Sequence, residues 1–425
     1  MVINTKADIL EVVKIKPFLF LWLGQVVSQI ATNMLTYVLA LRIYQATGSN
    51  TQVSILVLSI AIPALLFGML AGVFVDRMEN KIVLVFCNVL RMIGVLGFFL
   101  SSETLLWVVI FAAFMSTVTQ FFVPAEAPTI PNIVPNKLLL IANSLFTFTF
   151  YGSIIVGFVI AGPALRFFGP RNVFLFLSLL YLLAAVFVRF LPGSSIRITL
   201  KYFFKKLFNR LINTVDINSL AVGIKINRVK VELIEGYRYI RSNKKVLMAI
   251  SLLVAAQASI AILGVIAPGF ADKVLGIDIE DSSMLLLGPA ALGLILGALF
   301  VGQFGKKWSR DKIINAGILM GGFSLMFLSF TNSLNLGIIF MFFMGVANAL
   351  IDVTCNTILQ SETTEDFRGR VYGVLTALVG GVSVLPVILV GVLADVVGVG
   401  QVLFLISLTI FFLWFYRLRK LRYNS

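Results

Sequence analysis

Long apolar runs separated by short charged stretches dominate the chain. A helix needs about 20 apolar residues to cross the hydrocarbon core of a membrane. A membrane-spanning strand needs about 9–11 residues of alternating polarity. The runs have the length of helices and no such alternation, and they lie at about 17–42, 52–75, 82–102, 104–124, 138–165, 172–190, 246–270, 283–305, 313–331, 334–360, 371–394 and 397–416. The pattern predicts an all-α membrane protein with twelve transmembrane helices.

Composition agrees with this interpretation. Hydrophobic residues make up 59% of the 425 residues and charged residues only 12%. Soluble domains carry about 25% charged residues, and a soluble chain this apolar would expose large adhesive patches. We therefore expect an integral membrane protein surrounded by membrane lipids.

The distribution of basic residues predicts the orientation. With the N-terminus placed inside, 29 of the 34 Lys and Arg residues fall in inside segments. Arg42 and Arg91 lie within the apolar runs, and only Arg166, Arg171 and Lys273 fall outside. Cytoplasmic segments of membrane proteins carry such an excess. Both termini are expected in the cytoplasm. The net charge of +15 is then a signal of topology, and no nucleic-acid partner is expected.

The longest polar interval divides the chain into two halves. It predicts an N-terminal six-helix bundle over 1–191, a basic cytoplasmic loop over 192–245 and a C-terminal six-helix bundle over 246–425. Helical periodicity over 203–212 favours an amphipathic helix on the anionic inner leaflet, although a solvated basic linker explains the same residues. Six helices, a loop and six helices is the plan of one class of secondary transporters.

Small residues recur at matching positions of the two halves. Gly68-xxx-Gly72 in the second run and Gly293-xxx-Gly297 in the eighth each precede a short basic turn. Small residues at this spacing let neighbouring helices approach closely. We expect close helix packing at both places.

Four stretches resemble the major facilitator superfamily and, within it, the branch of drug, macrolide and siderophore exporters known as the third drug:proton antiporter family. They are LFLWLGQVVSQIATNMLTYVLALRIYQATGS at 19–49, GVFVDRMENK at 72–81, FFVPAEAPTIPNIVPNKLLLIANSL at 121–145 and LQSETTEDFRGRVYG at 359–373. The resemblance implies the major facilitator fold and a monomer. It also implies a cytoplasmic gate formed by Gly72, Asp76, Arg77, Lys81, Arg368 and Arg370, although turns that only set topology would look the same.

In the family that the chain resembles, the first, fourth, seventh and tenth helices line a central cavity, and the sequence marks these runs as polar. Polar residues repeat every four positions on the first and tenth runs, which places them on one helix face. The cavity candidates are Gln25, Gln29, Asn33, Gln120, Gln257, Asn348 and Asn356. Hydrogen bonds that hold the bundle together are the alternative explanation.

Three charges within or beside the apolar runs stand out: Asp352, Arg91 and Glu126, the last of which follows the run at 104–124. Asp352 is the only charged residue between Lys312 and Glu362. Burial disfavours an ionised carboxylate, so Asp352 is a candidate for coupling proton movement to transport, with Glu126 as a second. A fixed structural pairing is the alternative for Asp352. Arg91 is expected to be a structural charge, with Glu126 as a possible ion-pair partner.

These features predict a secondary active transporter that exports lipophilic drug-like or secondary-metabolite compounds, coupled to protons, by alternating access. The substrate would be a small amphipathic molecule and the location a bacterial inner membrane. The alternative is translocation of lysophospholipids or siderophores, and a more distant one is a membrane sensor. The chain has no histidine and no P-loop, so His-based metal sites and Ser-His catalysis are excluded. We expect neither an enzyme nor a cofactor.

Overall fold

The computed structural model describes residues 5–75, 78–100, 105–193, 234–305, 307–382 and 384–423. Every regular element in these ranges is helical. The first part of the chain forms α1 (Thr5–Val13), α2 (Lys16–Thr47), α3 (Asn50–Val75), α4 (Asn80–Leu100), α5 (Leu105–Glu126), α6 (Thr129–Ile133) and α7 (Leu139–Arg189). The all-α prediction is confirmed.

The second part continues in the same way. Its helices are α8 (234–242), α9 (Lys244–Phe270), α10 (Gly288–Phe304), α11 (Arg310–Phe330), α12 (Leu334–Glu362), α13 (Glu365–Val382), α14 (Val384–Val397) and α15 (Val399–Tyr423). Two short π-helical segments, Ala271–Leu275 and Ser283–Leu287, lie between α9 and α10. The amphipathic helix expected over 203–212 lies outside the described residues.

Ten helices in the described ranges are long and apolar enough to cross a membrane. One of them, α7, is divided at Gly169, where φ is 80° and ψ is 167°. Pro170 follows directly, and it cannot continue a helical hydrogen-bond ladder. The two parts of α7 correspond to the runs predicted at 138–165 and 172–190. A shorter apolar helix covers Val399–Phe412. The count of twelve and the cytoplasmic termini remain predictions.

The described residues form two compact units. Unit 1 contains 5–35, 62–157 and 171–193, and unit 2 contains 36–61, 158–170 and 234–423. The core of unit 1 joins α2, α4, α5 and α7 through buried side chains such as Phe18, Leu84, Phe122 and Val188. The core of unit 2 joins α9, α11, α12 and α13 through Ile250, Ile314, Leu359 and Val371. The division into two six-helix bundles remains a prediction.

Glycines let α10 and α12 pack backbone to backbone. A Cβ atom at Gly293 would collide with the carbonyl oxygen of Phe342, and one at Gly297 would lie 3.0 Å from Val346 Cα. Gly345 approaches the carbonyl of Ala290 from the other helix in the same way. The close packing predicted at Gly293-xxx-Gly297 is confirmed.

Candidate functional site

Asp352 projects from the C-terminal half of α12, ten residues before the helix ends at Glu362, and meets an amide of α9. Gln257 Nε2 donates to Asp352 Oδ1 over 3.5 Å, a distance at the long end of the hydrogen-bond range. Asn356 Nδ2 donates to the backbone oxygen of Asp352 at 3.0 Å. Among the residues that the structure describes, no cationic group lies within ion-pair distance of this carboxylate. The side chains that donate to Asp352 are therefore neutral amides.

Asn348 lies one helical turn before Asp352 on the same face of α12. Its side chain is 6% exposed, and its Oδ1 has no hydrogen-bond partner in the described part of the chain. A buried acceptor without a partner is costly. Gln257, Asn348, Asp352 and Asn356 together form what we call the amide–carboxylate site. It contains one charge and several groups able to accept or donate a hydrogen bond.

The cavity candidates of the first and fourth runs bond elsewhere, within unit 1. Gln25 is 3% exposed and accepts from Thr149 Oγ1 of α7 at 3.3 Å. Asn33 Nδ2 donates to the backbone oxygen of Gln29 at 2.8 Å, and Gln120 Nε2 donates to that of Ser116 at 3.2 Å. Gln25 thus takes part in interhelical bonding, which was the alternative explanation. The cavity role of these residues remains a prediction.

Arg91 is buried inside unit 1, with 2% exposure. Its Nη1 donates to Ser28 Oγ at 2.7 Å, and its Cζ lies 4.4 Å from the ring centre of Phe122. Ser28 Oγ in turn donates to Asn88 Oδ1 at 3.1 Å. A guanidinium over an aromatic face is stabilised by the negative face of the ring.

Glu126 is near enough to Arg91 for their charges to interact. Its Oε1 is nevertheless buried without a hydrogen-bond partner among the described residues. Arg91 thus contacts a hydroxyl group and aromatic rings directly. Its charge attracts that of Glu126, but over a longer distance than in the direct ion pair that the sequence suggested.

The gate candidates are described only in part. Asp76 and Arg77 lie outside the described residues, and so do the surroundings of Gly72 and Arg368. Lys81 lies partly buried at the start of α4. Their role as a gate remains a prediction.

Arg370 connects α13 to α8. Its Nη1 lies 3.0 Å from Glu235 Oε2, and its Cζ lies 4.9 Å from the ring centre of Phe367. The same ring stacks on Tyr239 of α8 at 4.6 Å. Tyr239 also donates through its hydroxyl to the backbone oxygen of Glu362 at 3.2 Å. The end of the basic loop is therefore bound to the turn between α12 and α13.

Sequence reasoning missed Asp395, whose carboxylate accepts five hydrogen bonds. Its Oδ1 accepts from Asn50 N at 2.8 Å and Asn50 Nδ2 at 3.0 Å. Its Oδ2 accepts from Ser49 Oγ at 2.6 Å, Thr51 N at 2.9 Å and Thr51 Oγ1 at 2.7 Å. We call these four residues the Asp395 cap. The available signal was that no other acidic residue follows Asp366.

A set of ion pairs lies elsewhere in unit 2. Arg166 contacts three carboxylates, Asp278 at 3.1 Å, Glu280 at 3.6 Å and Asp281 at 2.9 Å. Arg166 and Asp278 are exposed and the other two carboxylates are half-buried, so the pairs contribute little individually. They connect the part of α7 before Gly169 to the segment between α9 and α10.

The chain matches the sequence profile of the Major Facilitator Superfamily over residues 21–378, with a further match over 248–424. It is 24% identical over 410 residues to macrolide efflux protein A of Streptococcus pyogenes, covering 90% of this chain and 91% of that protein. It is 22% identical over 387 residues to an uncharacterized MFS-type transporter of Bacillus subtilis, YfmI, covering 88% of this chain and 89% of the relative.

Solved structures share the fold. The nucleoside transporter NupG superposes with a TM-score of 0.70 at 12% identity, covering 94% of this chain and 98% of that one. A bacterial homolog of the human lysosomal transporter Spinster, inward-facing and unoccupied, gives a TM-score of 0.71 at 13% identity, covering 94% of this chain and 96% of that one.

Proposed function

Since the chain belongs to the Major Facilitator Superfamily and is a membrane transporter rather than an enzyme, we propose that it is a proton-coupled exporter of lipophilic drug-like or secondary-metabolite compounds. It works as a monomer by alternating access in a bacterial inner membrane. The observation that carries the proposal is the Asp352 carboxylate, which has neutral amide partners within the apolar helix α12.

A charge in that position is expensive. Insertion scales assign about 2.5–3.5 kcal/mol to an aspartate at the centre of a membrane helix. A partner cation would offset this cost, but the side chains that donate to Asp352 are the neutral amides of Gln257 and Asn356. Binding a proton removes the cost and losing it restores the charge, so the occupancy of Asp352 by a proton can differ between two transporter states. Glu126, with its unpartnered Oε1, is the second candidate for this role.

The amides beside Asp352 support this substrate class. Gln257, Asn348 and Asn356 offer amide donors and acceptors without fixed charge, which suits an amphipathic molecule with a few polar groups. Likeness to macrolide efflux protein A over most of both chains supports a lipophilic substrate and outward transport.

The test is efflux of a lipophilic fluorescent dye from cells that express the wild type or Asp352→Asn, with and without a protonophore. The asparagine keeps the shape of the side chain and cannot cycle a proton. We expect wild-type efflux to collapse with the protonophore and Asp352→Asn to lose at least about tenfold in rate, a change typical of losing a proton-transfer group.

Glu11→Gln is the matched control. Glu11 pairs with Lys137 at 2.8 Å where both side chains are at least half exposed, so its neutralisation should leave efflux unchanged.

Protonophore-sensitive efflux that survives in Asp352→Asn would move coupling away from Asp352, with Glu126→Gln next to test. No efflux by the wild type would favour the alternative substrates, lysophospholipids or siderophores.

A further inference from the structure

The first turn of α3 receives its cap from a distant part of the chain. The first N–H groups of a helix have no partner inside the helix, and a side chain just before the helix usually satisfies them. Here Asn50 N and Thr51 N donate to Asp395 of α14, about 345 residues away in sequence. The hydroxyls of Ser49 and Thr51 add two bonds to the same carboxylate.

A carboxylate suits this position for two reasons. Hydrogen bonds to an ionised acceptor are about twice as strong as neutral ones. The positive end of the helix dipole also attracts a negative charge at the start of α3. The Asp395 cap therefore holds α3 and α14 together through one residue.

The contact continues below the cap. Ser54 Oγ, one turn further along α3, donates to the backbone oxygen of Val387 in α14 at 3.1 Å. A Cβ atom at Gly391 would collide with the Ser54 side chain and lie 2.8 Å from the backbone oxygen of Asn50. The two helices thus lie in backbone contact over the first two turns of α3, and Ser54 is 1% exposed.

We propose that Asp395 is a positioning residue that fastens α3 to α14 in one state of the transport cycle and releases α3 in the other. The inference rests on the proposed function, because alternating access moves the two sequence halves apart on one face, and α3 and α14 come from different halves. The cap joins the start of α3 to the end of α14. The charge pattern predicts that both of these helix ends lie on the outer side of the membrane. Release of the cap would open the path from that side.

The cap differs from the ion pairs of Arg166, which connect other segments of unit 2. Those pairs are partly exposed, and Arg166 shares its charge among three carboxylates, so the loss of one pair leaves two. Asp395 alone receives the five bonds at the start of α3. Its removal should therefore have a larger effect on opening than the removal of any single partner of Arg166.

The experiment measures access to the contact between α3 and α14 in the full chain in intact cells. Cys87 and Cys355 are buried and free, and Cys87→Ala with Cys355→Ala provides a background without thiols. Ser54→Cys then introduces one thiol of nearly the same size beneath the cap. Its rate of reaction with a membrane-impermeant maleimide is compared with and without Asp395→Asn. Asp278→Asn is the control, because it neutralises an exposed carboxylate in the same unit.

We expect Asp395→Asn to raise the labelling rate about tenfold or more, the change that follows from losing a hydrogen bond to a charged group, and Asp278→Asn to change it less than about twofold. Equal rates in the two variants would overturn the proposal. Should Asp395→Asn fail to reach the membrane, Ser49→Ala combined with Thr51→Val removes two bonds and keeps the carboxylate, and the same comparison decides.

The labelling needs no substrate. It therefore stands apart from the efflux assay. A wild type without dye efflux would contradict the proposed function and leave the labelling result intact, whereas normal efflux together with unchanged labelling would contradict only the role of Asp395.

Discussion

At the scale of single residues, Arg91 shows how a buried cation is held largely by neutral groups. Ser28 supplies a short hydrogen bond of 2.7 Å, and the faces of Phe122 and Tyr181 lie 4.4 and 6.0 Å from its Cζ. The planar guanidinium can stack and donate at once, which the ammonium of lysine cannot. The charge is thus tolerated because the shape of the side chain fits its surroundings.

Arg91→Lys should therefore destabilise the protein although it keeps the charge. We expect the free energy of unfolding to fall by about 2 kcal/mol, because the stacking and the hydrogen bond are lost. The measurement is the melting temperature in detergent, which should decrease. Arg171→Lys is the matched control, because Arg171 also lies over a ring, that of Phe99 at 4.8 Å, but at the surface. Arg171→Lys should lower the free energy of unfolding by less than about 1 kcal/mol. Equal shifts in the two variants would contradict the importance of burial at Arg91.

At the scale of elements, glycines decide how closely α10 and α12 pack. Gly293 and Gly297 lie one turn apart on the face of α10 that meets α12, whereas Gly302 of the same helix has no atom within 4 Å of where a Cβ would stand. Glycine is therefore required for close packing at Gly293 and Gly297, whereas at Gly302 a larger residue would meet no neighbour.

Gly293→Ala should lower the free energy of unfolding by about 2 kcal/mol or more, because the added methyl group would collide with the backbone of the neighbouring helix, which cannot move aside. Gly302→Ala should cost nothing, since alanine favours a helix over glycine. Melting temperatures of the two variants in the same detergent provide the test. A Gly302→Ala variant as unstable as Gly293→Ala would show that helix packing is not the cause.

The sequence predicted the positions of the helices far better than the contacts between their side chains. The run at 334–360 corresponds to α12 at Leu334–Glu362, because a membrane helix ends where charged residues reach water. The approach of Gln257 to Asp352 joins two residues that polarity alone had singled out. In contrast, the bonds of Asp395 to Asn50 and of Arg91 to Ser28 connect residues far apart in the chain, and such contacts leave no periodic signal in either segment.

At the scale of the whole molecule, orientation is the property that charge should decide. The excess of Lys and Arg in alternate loops is 29 against 3, and only basic residues near the span ends act in this rule. The acids that Arg166 contacts lie in a segment that the same pattern places outside.

Fusions test this orientation directly. Green fluorescent protein fused after Ser425 should fluoresce, and alkaline phosphatase fused after Asp278 should be active, because the first matures in the cytoplasm and the second only outside it. Exchanging the two reporters between the two positions should silence both. The opposite pattern would reverse the assignment of every loop and place the Asp395 cap at the cytoplasmic face.

The hydrogen bond from Trp22 to Thr149 gives the molecule a natural optical probe. Trp22 Nε1 donates to Thr149 Oγ1 at 3.1 Å, and the same hydroxyl contacts Gln25. Only three other tryptophans occur, at positions 107, 308 and 414. With those three replaced by phenylalanine, the remaining indole would shift its emission wavelength whenever a bound molecule or a moving helix alters this small polar network, so that transport events could be followed without attaching a dye.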